Sequence, residues 1–178
     1  MRISNSILLL AVLATAAFAQ GGKKAPASPA ETASVTVNGK QISIKYSAPS
    51  VRGRTIWGPD GILAKDPTAP VWRAGANNAT ALHTDADLTI GNLSVPKGDY
   101  TLYIQPTPGA FELIVNKQTG QWGTTYEKSQ DLGRVPMKTG KTSAPVEQLK
   151  YTLTANGNRG TLTMEWENVS ASVPFTVK

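Results

Sequence analysis

The sequence predicts an all-β domain, an antiparallel β-sandwich of jelly-roll type. Three observations carry this expectation. Apolar and polar residues alternate in short runs, as in Ile42, Ile44 and Tyr46, and again in Leu162, Met164 and Trp166. Turn-forming clusters such as Asn38-Gly39 and Pro96-Lys97-Gly98-Asp99 separate the runs. Beyond the first twenty residues no segment keeps a 3.6-residue apolar period for three turns. Roughly nine or ten short strands at close spacing belong to a sandwich or barrel. Their one-sided apolar pattern suits antiparallel sheets with a single inner face.

In chain order, Val35 and Val37 form a first alternating run, and Ile42, Ile44 and Tyr46 a second. Asn-Gly between them is a hairpin signal, because both turn positions need positive φ. Residues 48–65 lose all periodicity and hold two Pro and three Gly, so they form a long loop with a helical turn near Ile62. Loops of that length are uncommon in compact domains and often functional. Val71 to Arg73 begin a strand; Thr80, Leu82 and Thr84 continue extended towards Leu88 and Ile90; Leu93 to Val95 follow the Gly91-Asn92 turn. Tyr100, Leu102 and Ile104 pair by pattern with Phe111, Leu113 and Val115 across the turn at 106–109. Residues 117–143 are irregular, except for an edge strand at 132–137 that Pro136 restricts. Tyr151, Leu153 and Ala155 alternate before the turn at 156–160, and Val173, Phe175 and Val177 close the chain. The expected core is Ile42, Ile44, Leu102, Ile104, Leu113, Val115, Leu153, Leu162, Met164 and Phe175.

The N-terminus reads as a processing signal. Arg2 precedes an apolar run at 7–17, and Ala17-Phe18-Ala19 is a small-x-small cleavage site. This predicts a signal peptide over 1–19, too short to span a membrane, and an exported product, periplasmic or extracellular after cleavage near Ala19. Residues 20–32, rich in Gly, Lys, Ala and Pro, predict a flexible linker, which leaves a single domain over 33–178. The chain has no cysteine, so a lipid anchor at the cleavage site is excluded. Its formal charge of +6 owes much to Arg2, Lys23 and Lys24, and the remaining Lys and Arg are dispersed. Nucleic-acid binding needs a clustered basic footprint that this chain lacks.

With no Cys and one His, the chain cannot build a Cys/His zinc cluster or a multi-histidine metal site. It has no phosphate loop, dinucleotide fingerprint or nucleophile elbow. The residues therefore point to no cofactor and no metal. His83 and Asp85 share a strand face and offer a general base with its orienting carboxylate, the basis of a hydrolase or isomerase reading. Against it, no nucleophile lies nearby in sequence, and a polar strand residue accounts equally for His83.

The least ordinary residues are in three irregular segments. Arg52, Arg54 and Trp57 lie in the first, Trp72, Arg73, Asn77 and Thr80 in the second, and Trp122 in the third. Aromatic faces stack on sugar rings or guanidinium groups, and Arg and Asn supply donors for carboxylates and hydroxyls. These eight residues are the candidate site of a module for a glycan or other small polar envelope ligand. The competing reading makes the tryptophans a hydrophobic plug beneath long loops, with Arg73 and Asn77 tying down loop backbone. The protein would then be a structural or interaction component of the envelope.

The order Ala-Pro-Ser-Val-Arg-Gly-Arg-Thr-Ile-Trp-Gly (48–58), Val-Trp-Arg-Ala-Gly-Ala-Asn-Asn-Ala-Thr (71–80), Pro-Lys-Gly-Asp-Tyr-Thr-Leu (96–102) and Gln-Trp-Gly (121–123) resembles the bacterial DUF2911 family. Val-Glu-Gln-Leu, Met-Glu-Trp-Glu and the final Val-Pro-Phe extend the likeness from residue 34 to 177. The resemblance implies an exported bacterial protein and carries no catalytic residue with it. Residues 60–69 depart from the family pattern as an insertion-like stretch before the Trp72 motif.

Overall fold

A computed structural model describes residues 27–178; the expected signal peptide and most of the expected linker lie outside them. Nine strands follow in order: β1 (Ala30–Val37), β2 (Lys40–Ser47), β3 (Thr80–Thr84), β4 (Leu88–Ile90), β5 (Leu93–Val95), β6 (Gly98–Thr107), β7 (Ala110–Asn116), β8 (Asp131–Asn156) and β9 (Arg159–Val177). β1 begins inside the stretch read as linker, and the Pro29 carbonyl already accepts a bond from the Ala48 amide.

The all-β antiparallel expectation holds. The strands do not form the two separate sheets of a jelly roll. They join in one nine-stranded sheet of order β1-β2-β3-β6-β7-β8-β9-β4-β5. Its two halves share one core because β8 and β9 run through both. β8 pairs with β7 at 131–137 and with β9 from Lys138 onward, and the C-terminal end of β9 pairs with β4. Between Lys141 and Lys150 the β8–β9 register slips twice, at Val146, and Glu167 opposite takes φ 56. Bulges of this kind bend a strand and sharpen its twist. The loop after β2 meets the slipped residues: the Val51 amide donates to the Glu147 carbonyl, and the Leu149 amide to the Pro49 carbonyl. The sheet thus curls until the end of β2 reaches β8.

Local sequence explains the turns. Asn38 (φ 50) and Gly39 (φ 75) close the β1–β2 hairpin with Val37 facing Lys40. Ile62–Lys65 is a single 3-10 turn within the long loop, as the pattern predicts. Every residue of the expected core is buried. Trp166, Ile56 and Trp72 join them in one cluster.

Three further expectations need correction. The residues at 138–143 are strand, because their partners lie on β9, far along the chain. The segment at 132–137 belongs to a long interior strand. It is still paired only with β7 at Pro136, so the missing N–H leaves no gap in a second ladder. Val71 to Arg73 contribute a single bridge, Trp72 to Ile104, instead of a strand.

Candidate functional site

Trp72 is held by its backbone first. Its amide donates to the Ile104 carbonyl at 2.7 Å, and its carbonyl accepts from the Ile104 amide at 2.9 Å. This places the indole over the core, where Nε1 donates to the Gly75 carbonyl at 3.1 Å. Trp166 stacks on it, and Trp57 stands edge-on to both with centroids 6.0 Å away. Trp57 also packs against Phe111 at 5.2 Å and donates from Nε1 to the Trp166 carbonyl at 3.3 Å.

This aromatic cluster borders two cavities. Trp72 and Trp166 line a polar one of about 310 Å³, together with Arg54, Asp66, Arg73 and Asn77. Trp57 and Phe111 line an apolar one of about 980 Å³.

In the polar cavity the Arg73 Nη2 lies 2.8 Å from Asp66 Oδ2, with both side chains largely buried. Asp66 also accepts from the Thr68 amide and hydroxyl. Burial pushes the Asp66 carboxyl up, but the Thr68 bonds and the Arg73 guanidinium outweigh it and hold the net pKa below the usual carboxylate value. Arg54 is exposed and folds back on its own loop, donating to the Val51 carbonyl at 3.0 Å and the Ser50 carbonyl at 2.5 Å. Asn77 is exposed with φ 59, and its carbonyl accepts from the Gly123 amide at 3.0 Å. Gly123 must be glycine, since a Cβ there would run into Arg73 Cδ and the Asn77 carbonyl. Trp166 lines this cavity too, and its indole N–H is buried with no acceptor.

The candidate residues therefore divide. Arg54, Trp72, Arg73 and Asn77 meet at the polar cavity, and Trp57 faces the apolar one. Arg52 lies apart: its Nη2 donates to the Ala27 carbonyl and its amide to Glu147. Thr80 is fully buried and its hydroxyl donates to the Ala74 carbonyl, a structural bond. Trp122 bridges to Asn78 through the backbone and stands 53% exposed, lining neither cavity. Two cavity residues escaped the sequence reading. Asp66 sits seven residues before Arg73, and its opposite charge was the available signal. Trp166 was read as an inward strand residue, which it is, but its N–H reaches no partner.

A family model for DUF2911, described as "Protein of unknown function", matches residues 28–175. The chain belongs to that family. The same comparisons match no curated protein and no solved structure.

Elsewhere in this DUF2911 domain, His83 lies between two carboxylates. Its Nδ1 is 2.7 Å from Asp99 and its Nε2 is 3.1 Å from Asp85. The Asp99 and Asp85 contacts raise the imidazole pKa, in that order of weight. Both ring nitrogens are taken, so neither is left to accept a substrate proton. Among the described residues no group of three or more His, Cys, Asp or Glu is placed to hold a metal ion.

The DUF2911 loop that carries Trp122 rests on a polar network over the outer face of β6 to β8. The buried Asn116 Nδ2 donates to the Glu127 carbonyl and to Asp131 Oδ1. The Tyr126 hydroxyl donates to Asp131 and accepts from Arg134. Burial and the Asp131 carboxylate push the Tyr126 phenol up to about 12. This network fixes the loop whose Gly123 supports Asn77.

Proposed function

We propose that this protein is an exported, non-catalytic module that binds a small polar ligand of the cell envelope, such as a glycan, in the polar cavity. The observation that carries the reading is a small polar cavity lined by Arg54, Arg73 and Asn77 and walled by Trp166, whose indole N–H is buried without an acceptor. A buried polar group left unpaired is costly, and a ligand that drew the Trp166 ring towards the cavity would let an oxygen reach it. Asn77 is exposed and can turn towards such an oxygen, and exposed Arg54 can exchange its bonds to the Val51 and Ser50 carbonyls for it, whereas Arg73 is committed to Asp66. The face of Trp72 is covered by Trp166, so a sugar would be held here by its hydroxyl or carboxylate groups and not by stacking on Trp72. Export rests on Arg2, the apolar run and Ala17-Phe18-Ala19. No helix among the described residues is long and apolar enough to cross a membrane.

The test is calorimetric titration of the processed chain with neutral and acidic oligosaccharides and simple carboxylates. Asn77→Gly, which keeps the positive φ of that residue, and Arg54→Ala should abolish binding while leaving thermal stability nearly unchanged. If no member of the panel binds, and Trp72→Ala and Arg73→Ala only lower stability, the cluster is architecture and the reading falls. The enzyme reading through His83 is disfavoured because both ring nitrogens already face carboxylates. His83→Ala should accordingly leave ligand binding intact. N-terminal sequencing of the exported protein should begin at Gln20; a retained Met1 would overturn the export proposal.

A further inference from the structure

The larger cavity has a chemistry unlike the polar one. It measures about 980 Å³, near the upper end of small-molecule sites. Trp57, Leu63, Phe111 and Val169 line it, and Pro59, Pro70, Pro106 and Pro108 stand in its walls. Proline has no N–H, so these walls offer few backbone donors to water or to a polar ligand. The cavity has one ionisable residue in its lining, Lys141, and no acidic one. Lys141 is exposed and makes no ion pair among the described residues. The floor is fixed, because Trp57 is pinned through Nε1 to the Trp166 carbonyl and packs on Phe111. Gly140, beside Lys141 in the lining, faces open space, where an added Cβ would meet nothing within 4 Å.

We propose that this cavity binds a single-chain anionic amphiphile, a medium- or long-chain carboxylate, with the alkyl chain against Trp57 and Phe111 and the carboxylate at Lys141. A concave apolar cleft with a lone unpaired cation at its rim is complementary to that ligand in both shape and charge. A zwitterionic or cationic amphiphile would forgo the Lys141 attraction, and a free sugar would leave its hydroxyls facing proline and aromatic walls without partners. The site is separate in lining from the polar cavity apart from Leu63. Its test is therefore independent of the one above.

The experiment is isothermal titration of the processed chain with hexanoate, octanoate and decanoate below their micelle concentrations, with decanol and decyltrimethylammonium as controls. Affinity should rise by about fourfold for each methylene, the ratio that corresponds to burying one CH₂ from water. Lys141→Glu should weaken decanoate by about two- to fivefold, as for an exposed ion pair, and leave decanol unchanged. Gly140→Phe should abolish binding of all three carboxylates by placing a ring in the lining beside Lys141. Ala64→Trp, on another wall of the cavity, is a second plug should the first variant fail to fold. Circular dichroism and thermal melts establish folding for each. The proposal is overturned by absence of decanoate binding, by binding that survives a folded plug variant, or by affinity that ignores chain length or Lys141. Binding to anionic phospholipid vesicles with none to monomeric decanoate would likewise overturn it in favour of a membrane surface.

Discussion

Trp72 and Trp166 stack with ring centroids 5.5 Å apart and planes inclined by 17°. One comes from an irregular segment and the other from a core strand, so this contact ties the candidate site to the sheet. Its two N–H groups differ: that of Trp72 is bonded to Gly75, and that of Trp166 is not bonded.

Trp72→Ala should destabilise the fold by about 3–5 kcal/mol, since it empties a fully packed aromatic site. Trp166→Phe should be far milder, because losing part of the stacking is offset by removing an unsatisfied buried donor. Urea unfolding of both variants checks the contrast. A Trp166→Phe loss as large as that of Trp72→Ala would mean the indole N–H has an acceptor.

The Asp66–Arg73 pair should make stability acid-sensitive. The folded Asp66 pKa is depressed. Its contribution is therefore present above the unfolded carboxylate value, near 3.9, and is lost as pH falls through the lower folded value. Thermal melts from pH 6 to pH 2 should show a shallower acid limb in Asp66→Asn than in the parent. Arg73→Met should lower stability by about 1–3 kcal/mol by leaving Asp66 without its cation.

His83 should titrate above its ordinary value, with Asp99 the larger influence and Asp85 the smaller. Proton NMR of the imidazole resonances checks this: Asp99→Asn should lower the midpoint more than Asp85→Asn. The raised imidazole contributes stability below the unfolded value near 6.5, and loses it as pH rises through the folded one. Asp85 is depressed by the Gln41 amide first and by His83 second. Its contribution is present above its unfolded value and fades as pH falls. The cluster is thus most favourable between the Asp85 limit and the His83 limit. A midpoint at or below 6.5 in the parent would contradict the observed geometry.

Leu102→Ala and Leu113→Ala should each cost about 2–5 kcal/mol, since both side chains are fully buried. Gly39→Ala should cost about 1–2 kcal/mol, because its φ of 75 is unfavourable for a residue with a Cβ. Equilibrium denaturation measures all three, and a neutral Gly39→Ala would mean the hairpin turn relaxes without loss.

What the residues determined by themselves is local. Period-two alternation marks which side of a strand is apolar, so Ile42, Leu102, Leu113, Met164 and Phe175 are legible as core. Asn38-Gly39 sets a hairpin because few dipeptides tolerate two consecutive positive φ angles. The tertiary structure decided what met what. Lys138 to Lys141 look irregular alone and become strand only against Val169 to Ser172. Trp57 and Trp72 look alike in sequence, yet they line different cavities, and Trp166, on the strand beside the slipped β8–β9 register, packs against both. The partner of Arg73 was equally hidden, since ion pairing depends on where a loop's path brings a carboxylate and not on residue type. Alternation is written in neighbouring residues, whereas cavities form where distant segments cross, and only the folded chain brings those together.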